Sequence, residues 1–295
     1  MYTKRTDLAM EARELWQESA DKTSRLQGVK AGKQKQEGYP VTRVEILDSR
    51  GEAALGKPRG TYLTVDLTGF WQRREGFFQR AVRAVGGQLR SLPLPDGPAL
   101  VVGLGNRAMT PDAVGPLALD SVLVTRHLVA AQPRQFAMFR PVAAFRAGVL
   151  GTTGVESAEA VRGLVEQLRP ALVIAVDALA SRRVGRVCAT VQLSDTGIVP
   201  GSGVGNHRCA LDRETLGVPV FSIGVPTVVD AATLAADLLE ESGAGEVDPA
   251  ALHSGMMVTP RDIDQQVRDL SRVVGYGINW ALQDLDLEEI TALLS

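Results

Sequence analysis

Apolar and polar positions alternate along the chain in two rhythms, short aliphatic runs and stretches of helical spacing. Leu8, Ala12, Leu15 and Trp16 recur at helical intervals behind Thr6, which can cap a helix N-terminus, so a helix is predicted from Thr6 to about Ser19. Residues 21–40 break every period with Gly, Lys and Gln and are predicted as an exposed loop. VTRVEILD (41–48) and TYLTVDL (61–67) read as strands of period two joined by a turn-rich stretch. A helix from Gln72 to Leu89, a buried strand before Gly103 and a helix opening at Pro111 follow. Residues 132–151 show little period and are expected to be partly strand. Then come a helix from Val155 to Leu168 and strands over 171–177, 184–195 and 218–224. Helices over Val228–Glu241 and from Asp262 to the C-terminus complete the pattern, without internal repeats. Strands alternating with helices predict an α/β fold, a mostly parallel sheet with helices on both faces and the two early strands at a separate edge.

That architecture directs attention to Asp112 and Asp177. PALVVGLG (98–105) and ALVIAVD (171–177) are the most aliphatic runs, and Asp177 closes the second while Asp112 lies just beyond the first. Ligands bind at the carboxyl ends of parallel strands, where two acids from separate strands can converge. For Asp112 alone a structural explanation suffices: Thr110 as cap, Pro111 as first helical residue and Asp112 as a first-turn acid, stabilised by ~0.3–1 kcal/mol. Asp177 has no such role, and an acid buried without a partner is costly. A helix start favours the ionised form at Asp112 and apolar surroundings the protonated form at Asp177, the division of labour of an acid–base pair in a peptidase.

Composition narrows the classes. With 295 residues, 45% of them apolar, the chain can bury a large core. Lys and Arg number 32 against 34 Asp and Glu, which argues against a nucleic-acid partner. No apolar stretch approaches the roughly 20 residues of a membrane span, and the N-terminus is charged where a signal peptide is apolar, so no membrane partner is expected and the protein is placed in the cytoplasm. Cys188 and Cys209 form no disulfide framework, and His127, His207 and His253 lack metal-ligand spacing, so neither metal nor cofactor is expected.

Other motifs have weaker claims. Gly103-Leu104-Gly105-Asn106-Arg107-Ala108 matches a dinucleotide fingerprint formally, but the acid required about 20 residues on is missing. PGSGVGNHR (200–208) lacks the Lys of a phosphate-binding loop and the Gly that opens a nucleophile elbow. Thr153 to Glu156 reads as a capping box. Pairs of Cys209 or Ser202 with His207 sit too close along one loop to meet readily as nucleophile and base.

Longer motifs carry a resemblance. GLGNRAMTPDAVGP (103–116), DALASR (177–182), DTGIVPGSGVGNHR (195–208), GVPVFSIGVPTVVDAAT (217–233), VTPRDIDQQV (258–267) and GINWAL (277–282) resemble, in order, the spore germination proteases of endospore-forming bacteria. RTDLAMEARE (5–14) resembles the N-terminal segment of that family. The resemblance implies an endopeptidase that degrades small acid-soluble spore proteins early in germination, acting in the forespore or spore core. It also implies an atypical aspartic peptidase with Asp112 and Asp177 as its acids, a fold similar to hydrogenase-maturation peptidases, and a homotetramer made as a zymogen. Ala147 stands where the family carries Pro, and few residues precede RTDLA. A hydrogenase-maturation-like endopeptidase and a nucleotide-binding module are the alternatives.

Two finer expectations follow from the resemblance. Family substrates are cut after an acidic residue, so a cation should hold that side chain, with Arg182 nearest in sequence and Arg208 next. Thr6-Asp7-Leu8-Ala9-Met10-Glu11 resembles the substrate pattern itself, so the chain is expected to cut itself between Asp7 and Leu8. Residues 1–7 would then be a propeptide and 8–295 a single peptidase domain.

Overall fold

The computed structural model of the chain describes residues 4–19, 26–202, 208–243 and 255–295. Among these, nine strands form one sheet: β1 (Val29–Gln36), β2 (Tyr39–Ile46), β3 (Gly60–Asp66), β4 (Ala99–Leu104), β5 (Val142–Gly148), β6 (Leu172–Ser181), β7 (Thr190–Ser194), β8 (Val220–Asp230) and β9 (Met257–Val258). The order is β1-β2-β3-β7-β8-β6-β4-β5, with β9 pairing β8. β5, β4, β6 and β8 are parallel, whereas β8, β7, β3, β2 and β1 pair antiparallel in succession. The α/β class holds, with the parallel half carrying the two aliphatic runs and an antiparallel wing as wide as that half.

The helices are α1 (Ala9–Ser19), α2 (Ser49–Leu55), α3 (Phe77–Arg90), α4 (Val114–Ala118), α5 (Arg126–Ala131), α6 (Leu150–Thr153), α7 (Ser157–Leu168), α8 (Arg213–Leu216), α9 (Ala231–Glu241), α10 (Ile263–Leu282) and α11 (Leu287–Leu294). Period-two alternation divides each central strand between two cores. Leu172, Ile174 and Val176 of β6 face the layer of α3, α4 and α10, while Val173 and Ala175 face the layer containing α7 and α8. A third cluster under α1 and α2 covers Val44, Ile46 and Tyr62 on that second face. Helices therefore cover both faces, as expected.

Several boundaries differ from the sequence expectation for identifiable reasons. Residues 29–36 (VKAGKQKQ) form a strand although almost all are exposed, because β1 is an edge whose order comes from pairing with β2. α1 starts at Ala9, and Thr6 Oγ1 accepts from the Leu8 N–H at 3.0 Å. β8 runs on through Pro226 to Asp230, which caps α9 by accepting from the Thr233 N–H at 2.9 Å. The C-terminal helix is two helices, the second opened by an Asp286–Glu289 capping box. Thr153 ends α6 and forms no capping box with Glu156. Ala147 lies inside β5. No helix among the described residues is long and apolar enough to cross a membrane.

Candidate active site

Asp112 is positioned by glycines. After β4 the chain turns at Gly105 with φ +100°, where a Cβ would lie 2.1 Å from the Asp112 main-chain oxygen. At Gly115 a Cβ would lie 2.3 Å from the Leu104 oxygen and 2.4 Å from the Val176 oxygen, so α4 can rest directly on β4 and β6 only without a side chain there. The intervening turn, a single 3-10 turn at Thr110–Asp112, is pinned twice. Thr227 Oγ1 donates to the Pro111 oxygen at 2.6 Å, and Thr110 Oγ1 to Asp264 Oδ1 at 2.7 Å. Asp112 is half-buried and accepts from the Asn106 N–H at 2.7 Å. The glycines of the GLGNRA stretch thus serve close approach within the chain itself.

Asp177 stands on β6 with 5% exposure, accepting from the Ala178 N–H at 2.9 Å. Burial pushes its carboxyl well above the ordinary range, and the negative charges of Asp112 and Asp7 push it further. Asp112 is also raised by burial, opposed by the Asn106 N–H and by the charge of Arg208. The two acids of separate strands therefore lie within each other's field, in unequal surroundings. Of the two, Asp177 is pushed the more strongly towards its protonated form.

The N-terminal segment lies at the same place. The Asp7 N–H donates to the Ala180 oxygen at 2.9 Å, and the Asp7 carboxylate accepts from the Ala180 N–H at 2.8 Å and Ser202 Oγ at 2.7 Å. Leu8 and Ala9 are fully buried. Gln192 Nε2 donates to the Asp7 oxygen at 3.0 Å, while its Oε1 accepts from the Ala9 N–H at 2.7 Å. Glu11 is fully buried; its carboxylate accepts from the Arg182 N–H at 2.6 Å, the Arg183 N–H at 3.0 Å, Arg186 Nη1 at 2.8 Å and the Thr6 hydroxyl. Upstream, Lys4 bridges Asp237 at 2.7 Å and Glu240 at 2.6 Å.

Of the expected substrate cations, Arg182 is engaged elsewhere. Its guanidinium is 2% exposed and donates to Asp237 at 2.9–3.0 Å and to Glu18 at 2.6 Å. Arg208 lies 3.7 Å from Glu156, and its charge reaches Asp112. Sequence reasoning missed Lys57, a partly exposed residue whose desolvated ammonium is pulled below its ordinary value, against the charges of Asp7 and Glu11. It also missed Gln192. In TVQLS the alternation gives Gln192 the look of a solvent-facing residue, yet that face of β7 is covered by the N-terminal segment.

The remaining polar candidates lie apart or outside. His127 is exposed on α5, and His207 and His253 fall outside the described residues. Cys188 is buried, with its thiol pushed up to about 12, and Cys209 is exposed. No group of three metal-ligating side chains occurs among the described residues.

A family model described as germination protease matches residues 9–241. A germination protease of Caldanaerobacter subterraneus subsp. tengcongensis is 42% identical, with 98% of each chain covered. One from Clostridium perfringens is 40% identical over 100% of both chains, and one from Bacillus cereus is 44% identical over 81% of this chain and 66% of its own. Among solved structures, the [NiFe] hydrogenase maturation protease HycI from Thermococcus kodakarensis KOD1 is 18% identical, covering 65% of this chain and 99% of its own at a TM-score of 0.36. By sequence, over most of its length, the chain belongs to the germination protease family, and it is a peptidase.

Proposed function

We propose that the chain is an endopeptidase of the forespore or spore core that starts the degradation of small acid-soluble spore proteins in germination, with Asp112 and Asp177 as its acid–base pair. The observation that carries this reading is the seating of the Asp7–Leu8 peptide where Asp177 feels the charges of both Asp112 and Asp7. Water bonds to the Asp7 carbonyl carbon and gives a proton to Asp112, while Asp177 protonates the carbonyl oxygen. The resulting diol collapses as the C–N bond breaks: Asp112 returns its proton to the Leu8 nitrogen, and one hydroxyl proton returns to Asp177. The pair titrates as a unit.

The same reading makes residues 1–7 a propeptide removed by the enzyme itself and 8–295 the working domain, assembled as a homotetramer without cofactor. A substrate's acid before the cut would take the place of Asp7, held by the Ala180 N–H and Ser202, with Lys57 and Arg208 supplying positive field more readily than the engaged Arg182. Incubation with a small acid-soluble spore protein, followed by mass spectrometry of the fragments, tests the proposal. Cuts after acidic residues are expected from the wild type and none from Asp112→Asn or Asp177→Asn. Comparable cutting by either variant rules the pair out.

A further inference from the structure

The bond to be cut is held by a side chain that neither acid accounts for. Gln192 is 7% exposed on β7, and its amide spans Leu8, with Nε2 3.0 Å from the Asp7 carbonyl oxygen before it and Oε1 2.7 Å from the Ala9 nitrogen after it. The Ala9 N–H can only donate and the Asp7 oxygen can only accept, so the orientation of the Gln192 amide is fixed by its partners.

Strand register relates Gln192 to Asp177. Gly224 of β8 pairs with Asp177 on one side and with Gln192 on the other. Directly paired residues point to the same face of a sheet, so Asp177 and Gln192 flank Gly224 on one face, their backbones two strand spacings or roughly 9.6 Å apart across the sheet. Gly224 has no side chain of its own on that face, which lets the Leu179 side chain pack over it, where a Cβ would lie 2.3 Å from Leu179 Cδ1. Asp7 links the two strands, bonded to Ala180 of β6 at one end and to Gln192 of β7 at the other.

We propose that Gln192 is a further catalytic residue, its Nε2–H holding the scissile carbonyl oxygen as water adds to the carbon. The inference rests on the peptidase reading above and deepens it. Before addition the carbonyl accepts from Gln192; as the C–O bond lengthens and its oxygen gains charge, that bond strengthens, while Asp177 supplies the proton from the other side. A buried donor fixed in advance accelerates such a step because nothing has to reorient when charge develops. The same amide's acceptor side sets the register, since its bond from the Ala9 N–H places the residues after the cut.

The two halves of the amide can be separated by substitution. Gln192→Glu keeps an acceptor for the Ala9 N–H and loses the donor, whereas Gln192→Ala loses both. Self-cleavage of the full chain is followed by intact mass, and steady-state cleavage is measured in trans on a synthetic peptide with the sequence of residues 4–15. Gln192→Glu is expected to lower kcat by about 10²-fold at neutral pH with KM changed less than threefold, and to regain activity at acidic pH as its carboxyl acquires an O–H donor. Gln192→Ala should raise KM as well and show no acidic recovery. A purely anchoring role gives the opposite pattern, with Gln192→Glu close to wild type in kcat at every pH, and that result overturns the inference. If Gln192→Glu fails to fold, Gln192→Met, similar in volume and without a donor, is read for the same loss or retention of kcat. An inactive wild type would instead overturn the peptidase reading, and the role of Gln192 with it.

Discussion

At the scale of single residues, Asp177 is held at a cost to stability. Its folded carboxyl binds a proton more tightly than in the unfolded chain, because burial and two nearby negative charges penalise the ionised form. The penalty is absent in acid, where both states are protonated, and grows as pH rises from about 4 through the raised folded value. Asp177→Asn should therefore abolish cleavage and raise Tm at neutral pH, with about 2 °C gained per kcal/mol and the gain fading on acidification. A lower Tm for Asp177→Asn at neutral pH would contradict the burial argument. Activity should follow the same titration and fall on the alkaline side as Asp177 ionises, which a pH profile of kcat measures. Arg182 points the other way: its guanidinium is committed to Asp237 and Glu18, so Arg182→Ala is expected to lower Tm and leave the choice of cut site unchanged. An altered cut-site preference at unchanged Tm would make Arg182 a substrate residue. Asp112 and Asp177 were legible because each follows an aliphatic run. The engagement of Arg182 was not, because Glu18 and Asp237 lie 164 and 55 positions away.

At the scale of elements, the site is set by how closely α4 approaches β4 and β6. Gly115→Ala would force its Cβ against the Leu104 and Val176 oxygens, lifting α4 and the Asp112 turn together. Overpacking of this kind costs about 1–3 kcal/mol, and the displacement should lower kcat by more than the lost stability alone implies. Thermal melts paired with peptide kinetics check this, and a destabilised Gly115→Ala with wild-type kcat would argue that the turn is held by other contacts. Central strands were readable from their apolar runs, since burial on both faces leaves no polar alternation. β1 was not, because an edge strand with Lys30, Lys33 and Lys35 has the composition of a loop and owes its extended form to backbone pairing. Nor could the antiparallel wing be foreseen, as its pairing joins β3 to β7 across more than a hundred residues.

At the scale of the whole molecule, the N-terminal segment behaves as a ligand of its own chain. Lys4, Asp7 and Glu11 reach α9, the end of β6 and the loop before β7, tying the two halves of the sheet at the candidate site. Glu11 is the deepest anchor, and Glu11→Ala would strand two main-chain N–H groups and leave the Arg186 guanidinium with Glu14 as its remaining carboxylate. A loss of about 3 kcal/mol in chemical denaturation is expected, with slower self-cleavage because the segment leaves its seat. The resemblance of Thr6–Glu11 to a substrate was visible in the sequence. Its folding back onto β6 and β7 was not, because it depends on contacts spanning more than 170 residues. On the proposed reading, Asp112 and Asp177 cut the bond this segment presents. Intact-mass analysis and N-terminal sequencing of the purified chain, with Asp112→Asn and Asp177→Asn alongside after incubation at mildly acidic pH, test it most directly. The wild type should lose residues 1–7 and begin Leu8-Ala9-Met10 while both variants stay whole. A fully active wild type that keeps Met1, or a variant that loses the segment at the same rate, would contradict the account.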